Sequence, residues 1–148
     1  MPPILIDTNL LIYLHDFQTP EKQIRAQQVL DNLDLGKFGR LSAQNLAEFF
    51  NVSTHRLRPP LTPSQALQQI NLFVSMWPVF DLNPFIVMEA GRGVRDHHLS
   101  YYDAQIWATA RLNQVSVVFS EDFQGRQILE GVQFINPFAP EFKLSEWL

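Results

Sequence analysis

The sequence predicts an α/β fold built on a mainly parallel sheet of about five strands. Three observations carry this. Short apolar runs of strand length alternate with longer stretches of helical periodicity along the chain. Most helical stretches open on a recognisable capping residue. One run, residues 115–119, is almost continuously apolar, the pattern of a strand buried on both faces. Alternation of this kind implies parallel strands joined by right-handed helical crossovers.

The elements follow in order. Ile4–Ile6 is the first strand, and a short helix follows it. Thr19 and Pro20 open the next helix, Thr as N-cap and Pro at the first helical position, where no N–H is needed. Ala26, Val29, Leu30 and Leu33 then fall at i, i+3, i+4 and i+7, one apolar stripe. Residues 38–41 form a weak second strand, and Ser42 caps the helix after it. RPPLTP, residues 58–63, is a turn. Thr62, Pro63, Ser64 and Gln65 form a capping box for the next helix, which Pro78 ends. Residues 79–82 are a third strand. Asn83 and Pro84 begin a helix running to about His98. Ser100 caps the helix YYDAQIWATARL. Val132–Ile135 is the last strand, expected at the edge of the sheet.

Composition sets the class. With 148 residues, 46% of them hydrophobic and 18% charged, the chain suits a single globular domain over residues 1–148. No apolar run reaches the roughly 18 residues of a membrane span, and the start lacks the pattern of a signal peptide. Cysteine is absent, which excludes disulfides, thiolate metal sites and thiol nucleophiles. That fits a reducing compartment, and the expectation is a cytoplasmic protein with no membrane partner. A net charge of -4 argues against gripping nucleic acid by bulk charge alone. It leaves room for a local basic patch, or for bound cations that reverse the local sign.

In parallel sheets, ligands bind beyond the carboxyl ends of the strands. Asp7 directly follows the first strand. Asp122 lies just past the strand ending at Phe119. Glu48 is about two turns into the helix that begins after the second strand. Asp103 sits at the start of a helix running antiparallel to the strand at 115–119. Four acids distant in sequence are thus expected at one edge. Carboxylates so placed cannot all stay ionised without compensation, which hard divalent cations with oxygen ligands supply. A bound cation can also activate water and stabilise the oxygens of a phosphodiester under attack, a route needing neither Cys nor a serine triad.

Each acid also has a plain structural role available. Asp7 can cap the short helix after it. Glu48 can face solvent. Ser100 and Asp103 match a capping box. Asp122 can be an ordinary turn residue. Glu21, Asp31, Asp34, Glu130, Glu141 and Glu146 lack such placement and read as surface.

Four blocks carry a family resemblance: LIDTNLLIYL with Asp7, LSAQNLAEFF with Glu48, LSYYDAQIWATA with Asp103, and VVFSEDFQGRQI…VQFINPF with Asp122. Together they resemble the PIN-domain ribonucleases, most closely the VapC-like toxins of toxin–antitoxin pairs, over almost the whole chain. The resemblance implies a three-layer α/β/α sandwich and an endoribonuclease using Mg²⁺ or Mn²⁺. It implies Asp7, Glu48, Asp103 and Asp122 as catalytic metal ligands, with Asn9 and Ser120 supporting them by hydrogen bonds. It also implies an RNA substrate, a small cognate antitoxin and a homodimer. Ser120 stands where the family usually has Thr, and keeps the hydroxyl. Glu121 stands where many members have a neutral residue, either as a spare ligand or, the favoured reading, a solvated neighbour. An alternative is a PIN-fold module that binds RNA or assembles without cutting. A haloacid-dehalogenase-like site is disfavoured because Asn9 stands where it wants Asp, and a receiver-like site lacks its paired acids and late lysine.

Arg92, Arg95, His97 and His98 precede Asp103 and are expected near the same edge. They read either as phosphate-binding groups or as the basic last turn of a helix. His55, Arg56 and Arg58 read as a solvated loop or a rim patch. The histidines lack the spacing of a zinc site. Trp77, Trp107 and most Phe residues read as core, while Phe138, Phe142 and Trp147 in the tail, where exposed, are candidates for partner contact.

Overall fold

The computed structural model describes residues 2–123 and 127–147. Among these, six strands form one sheet in the order β3-β2-β1-β4-β6-β5. They are β1 (Ile4–Ile6), β2 (Gly39–Ser42), β3 (Val79–Phe80), β4 (Val117–Phe119), β5 (Ile128–Leu129) and β6 (Val132–Ile135). All neighbours are parallel except β5 and β6, a hairpin.

The hairpin corrects one expectation. β6 is not the edge, because β5 pairs outside it. Its turn is Glu130 and Gly131, with φ of 49° and 85°, the left-handed pair that suits a two-residue hairpin. β5 has only two residues and shows no alternation to read.

Side-chain alternation along the central strands builds two cores. Ile4 and Ile6 of β1, with Val117 and Phe119 of β4, face one side. There they meet Leu10 and Leu11 of α1 (Thr8–Tyr13), Val29 and Leu33 of α2 (Pro20–Gly36), Phe49 of α3 (Ala43–His55) and Phe73 of α4 (Pro63–Met76). Leu5 and Val118 face the other side, toward Ile86 and Ala90 of α5 (Pro84–His97) and Trp107 of α6 (Tyr101–Leu112). The result is the three-layer α/β/α sandwich, with strands apolar on both faces because both are covered. α5 and α6 approach closely at Gly93, where a Cβ would lie 2.9 Å from the Trp107 ring.

Helix starts follow local chemistry. Ser42 and Asn45 form a reciprocal capping box on α3, and Thr62 and Gln65 one on α4. Thr62→Ala is expected to cost about 1 kcal/mol, a fall in Tm of about 3 °C by thermal denaturation. Thr19 occupies the N-cap of α2, but its hydroxyl makes no capping bond, since the backbone there (φ -126°, ψ 71°) leaves the extended region a cap uses.

The tail after β6 departs from the expectation of partner-seeking aromatics. Phe142 is buried, and Phe142 and Trp147 stand edge-on to Phe119, each at 5.6 Å. Phe138 packs edge-on to Tyr13 at 4.9 Å. These rings seal one face of the sheet. Among the described residues, no helix is long and apolar enough to cross a membrane.

Candidate active site

The chain leaves β1 toward β2 and β3 on one side and later returns as β4 on the other. The reversal opens a crevice between the carboxyl ends of β1 and β4. Asp7 N donates to Phe119 O at 2.9 Å, so the two strand ends leave the sheet together. Asp7 and the segment Ser120 to Asp122 flank that crevice.

Asp7 is buried, and each of its carboxylate oxygens accepts a hydrogen bond. Its Oδ1 accepts from Thr8 N at 2.7 Å, capping α1, and its Oδ2 accepts from Ser120 Oγ at 2.7 Å. The structural role open to Asp7 is therefore real, and it occupies only one carboxylate oxygen. Ser120 Oγ also accepts from Asp122 N at 3.1 Å, linking the two strand-end acids. Asn9 Oδ1 accepts from Glu121 N at 3.4 Å, steadying the same segment.

Glu48 does not simply face solvent. Its Oε2 accepts from Thr8 Oγ1 at 3.1 Å and its Oε1 from Gln44 Nε2 at 2.6 Å. Asp103 lies in the first turn of α6, but Ser100 makes no side-chain capping bond, so the capping-box reading of Asp103 is not realised.

Electrostatics tie the acids together. Burial pushes Asp7 up to about 7, against the hydrogen bonds from Ser120 and Thr8, and the charges of Asp122 and Glu48 add to the rise. Burial also raises Asp122, followed by the charges of Asp103 and Glu121. All four acids thus act on one neighbourhood. Glu48 and Asp122 line a pocket of about 390 Å³ together with Thr8, Asn9, Tyr13 and Arg56.

The donor set fits a hard divalent cation: the acids offer oxygen, no histidine lines the pocket among the described residues, and burial raises both Asp7 and Asp122. Among the described residues, no three Asp, Glu, His or Cys side chains already converge as a metal cage. Repulsion between uncompensated carboxylates opposes a tighter cluster.

Two residues with no assigned role in the sequence reading are central. Asn45 is fully buried; its Nδ2 donates to Thr8 Oγ1 at 3.2 Å and lies 3.5 Å from Asp7 Oδ1. Gln44 bridges Glu48 and the carbonyl of Tyr102 on α6, and accepts from Gln105 Nε2 at 2.8 Å. These amides connect α6, α3 and the start of α1 around the acids. The available signal was Gln44 at i-4 from Glu48, on the same helix face.

The basic cluster is largely not brought to this edge. Glu130, in the β5–β6 turn, lies before the start of β6 and so at the opposite end of the sheet from Asp122. Arg92 and His97 are tied to it, with contacts of 2.9 Å and 2.7 Å. Arg92 and His97 hold the Glu130 carboxyl down to about 2. Glu130 is a surface residue, as expected, and it gathers Arg92, His97 and Arg111 around it. Arg95 is exposed and pairs with Asp96 at 2.8 Å. His98 is exposed at the left-handed C-cap of α5, φ 57°. Among the described residues, Arg56 is the cation that lines the acid pocket.

A PIN-domain family model matches residues 4–128. No curated protein matches the chain. Among solved structures, a toxin–antitoxin complex from Klebsiella pneumoniae aligns with TM-score 0.65 and 20% identity over 91% of this chain and 98% of that one. DNA-bound VapBC from Salmonella typhimurium aligns with TM-score 0.66 and 18% identity, covering 93% and 99%. VapC20 from Mycobacterium tuberculosis, a Sarcin-Ricin loop cleaving toxin, gives 0.65 and 17%, covering 86% and 97%. At these identities the likeness speaks for the fold, and the family model extends across most of the chain: it belongs to the PIN-domain family.

Proposed function

We propose that this protein is a metal-dependent endoribonuclease and the toxin of a toxin–antitoxin pair. The observation that carries the reading is the gathering of acids at the carboxyl edge of the sheet: Ser120 links Asp7 to Asp122, Glu48 and Asp122 line one pocket, and the charge of Asp103 reaches Asp122. PIN-family membership and the toxins among its structural neighbours support it.

In this reading those four acids would hold Mg²⁺ or Mn²⁺, which would supply positive charge against the carboxylates and the phosphodiester and would make a bound water more nucleophilic. The chain's own polar groups do the rest. Ser120 and Thr8 hold Asp7 in one rotamer and Gln44 holds Glu48, so both acids are preset. Arg56 at the pocket lining offers a charge for the RNA backbone. The arrangement needs no cysteine, and the chain has none.

An antitoxin and a second copy of the chain are further partners in this proposal. The complexes among the neighbours support the first. The exposed apolar side chains Phe85, Val87 and Met88 of α5 support the second.

The test is cleavage-site mapping on total RNA with Mg²⁺ or Mn²⁺. Discrete internal cuts that EDTA abolishes are expected. Undiminished cutting in EDTA, or RNA binding with no turnover in either metal, overturns the proposal. The second outcome favours a PIN-fold binding module.

A further inference from the structure

Glu121 is not a solvated neighbour of Asp122. Tyr13 OH donates to its Oε1 at 2.6 Å, and Lys22 Nζ contacts its Oε2 at 2.5 Å. Lys22 also donates to Tyr13 OH at 3.2 Å, closing a three-residue ring. Its ammonium lies 5.0 Å from the Tyr13 ring centre and 5.9 Å from that of Phe138. Glu121 raises Lys22, and burial together with Glu121 raises Tyr13, so the lysine stays charged and the phenol stays a donor.

The placement of Lys22 is informative in itself. It stands in the first turn of α2, where the helix dipole disfavours a cation. Glu121 supplies the compensation. The clamp joins the end of α1 and the start of α2 to the residue directly before Asp122.

We infer that Glu121, Lys22 and Tyr13 form a positioning clamp for Asp122. Glu121 carries a charge that adds to the acid cluster and opposes Asp122. Lys22 neutralises that charge, and the ring of bonds pins the segment from Ser120 to Asp122 against α1 and α2. Charge-assisted hydrogen bonds to rigid elements are the means by which such outer groups orient a ligand. The consequence for the cation rests on the metal-site reading above. The pinning of the segment does not.

The experiment has two arms on the same proteins: wild type, Glu121→Ala, Glu121→Gln and Lys22→Met, with Asp7→Asn as control. The first arm is amide hydrogen exchange at residues 121 and 122 without metal. The second is Mn²⁺ titration. Glu121→Ala is expected to speed exchange at both amides about tenfold and weaken Mn²⁺ binding about tenfold. Glu121→Gln keeps an acceptor for Tyr13 and is expected to restore most of both. Lys22→Met is expected to fall between. Unchanged exchange in Glu121→Ala overturns the clamp. Unchanged exchange with Mn²⁺ binding lost equally in Ala and Gln also overturns it, and marks Glu121 as a ligand. Equal Mn²⁺ binding by wild type and Asp7→Asn counts against the metal-site reading, and the exchange arm then decides the clamp.

Discussion

Asp7→Asn is expected to lower RNA cleavage at least about a hundredfold while making the metal-free protein more stable at pH 8. The two effects share one cause. Asp7 is buried, and its carboxyl titrates near 7 in the fold against an ordinary value of 3.8. The folded chain therefore binds a proton that the unfolded chain has already released. Stability falls as pH rises from about 4 through 7, with a ceiling of roughly 4 kcal/mol from this group. Asn cannot ionise, so that slope is expected to flatten. Its Oδ1 can still accept from Thr8 N, and its amide can face the Ser120 hydroxyl, so the cap of α1 survives. The cleavage loss follows because a neutral amide is a poor ligand for a hard cation. Thermal denaturation in EDTA at pH 5 and pH 8, beside an RNA cleavage assay, checks both parts. A pH slope unchanged from wild type, or cleavage within a few-fold of it, contradicts the account.

Trp107→Ala is expected to destabilise the fold by about 4 kcal/mol, a fall in Tm of more than about 8 °C. Trp107 is fully buried in the layer formed by α5 and α6. Its ring meets Gly93 where the helices approach, lies 5.4 Å from the Arg92 guanidinium, and stands edge-on to His97. Its Nε1 donates to Leu129 O at 3.1 Å, fastening α6 to β5. Alanine leaves a cavity and an unpaired carbonyl. Trp107→Phe keeps most of the ring and loses the bond, for about 1–2 kcal/mol. Urea denaturation of the two variants separates these contributions. Equal losses would place the whole effect in the hydrogen bond and none in packing. Asp103 lies one turn earlier on α6, so this packing also seats an acid of the site.

Local signals were legible in the sequence, and their physics explains why. The Thr62 box needs only residues within one turn, so it could be read from the order of side chains. The Val117–Phe119 strand announced itself by being apolar on both faces. The positions of Asp7, Glu48, Asp103 and Asp122 followed from strand direction, which alternation of elements already implied. β5 was not legible, because two residues carry no period and its pairing depends on β6. The buried amides of Gln44 and Asn45 were not, because which face α3 turns inward is decided by the sheet it packs on. The basic residues before Asp103 were misplaced for a related reason. Arg92 and His97 find their acid in a hairpin turn distant in sequence, and no local rule connects them.

What the sequence by itself determined was the alternation of strand and helix and the edge at which four acids emerge. Those depend on backbone chemistry and on a side-chain period within each element. What only the tertiary structure decided was the partner of each charge. Asp7 meets Ser120, Glu48 meets Thr8, and Glu121 turns to Lys22 and Tyr13. A charge selects its partner by distance after the chain has closed on itself, and distance in space is not written in distance along the chain.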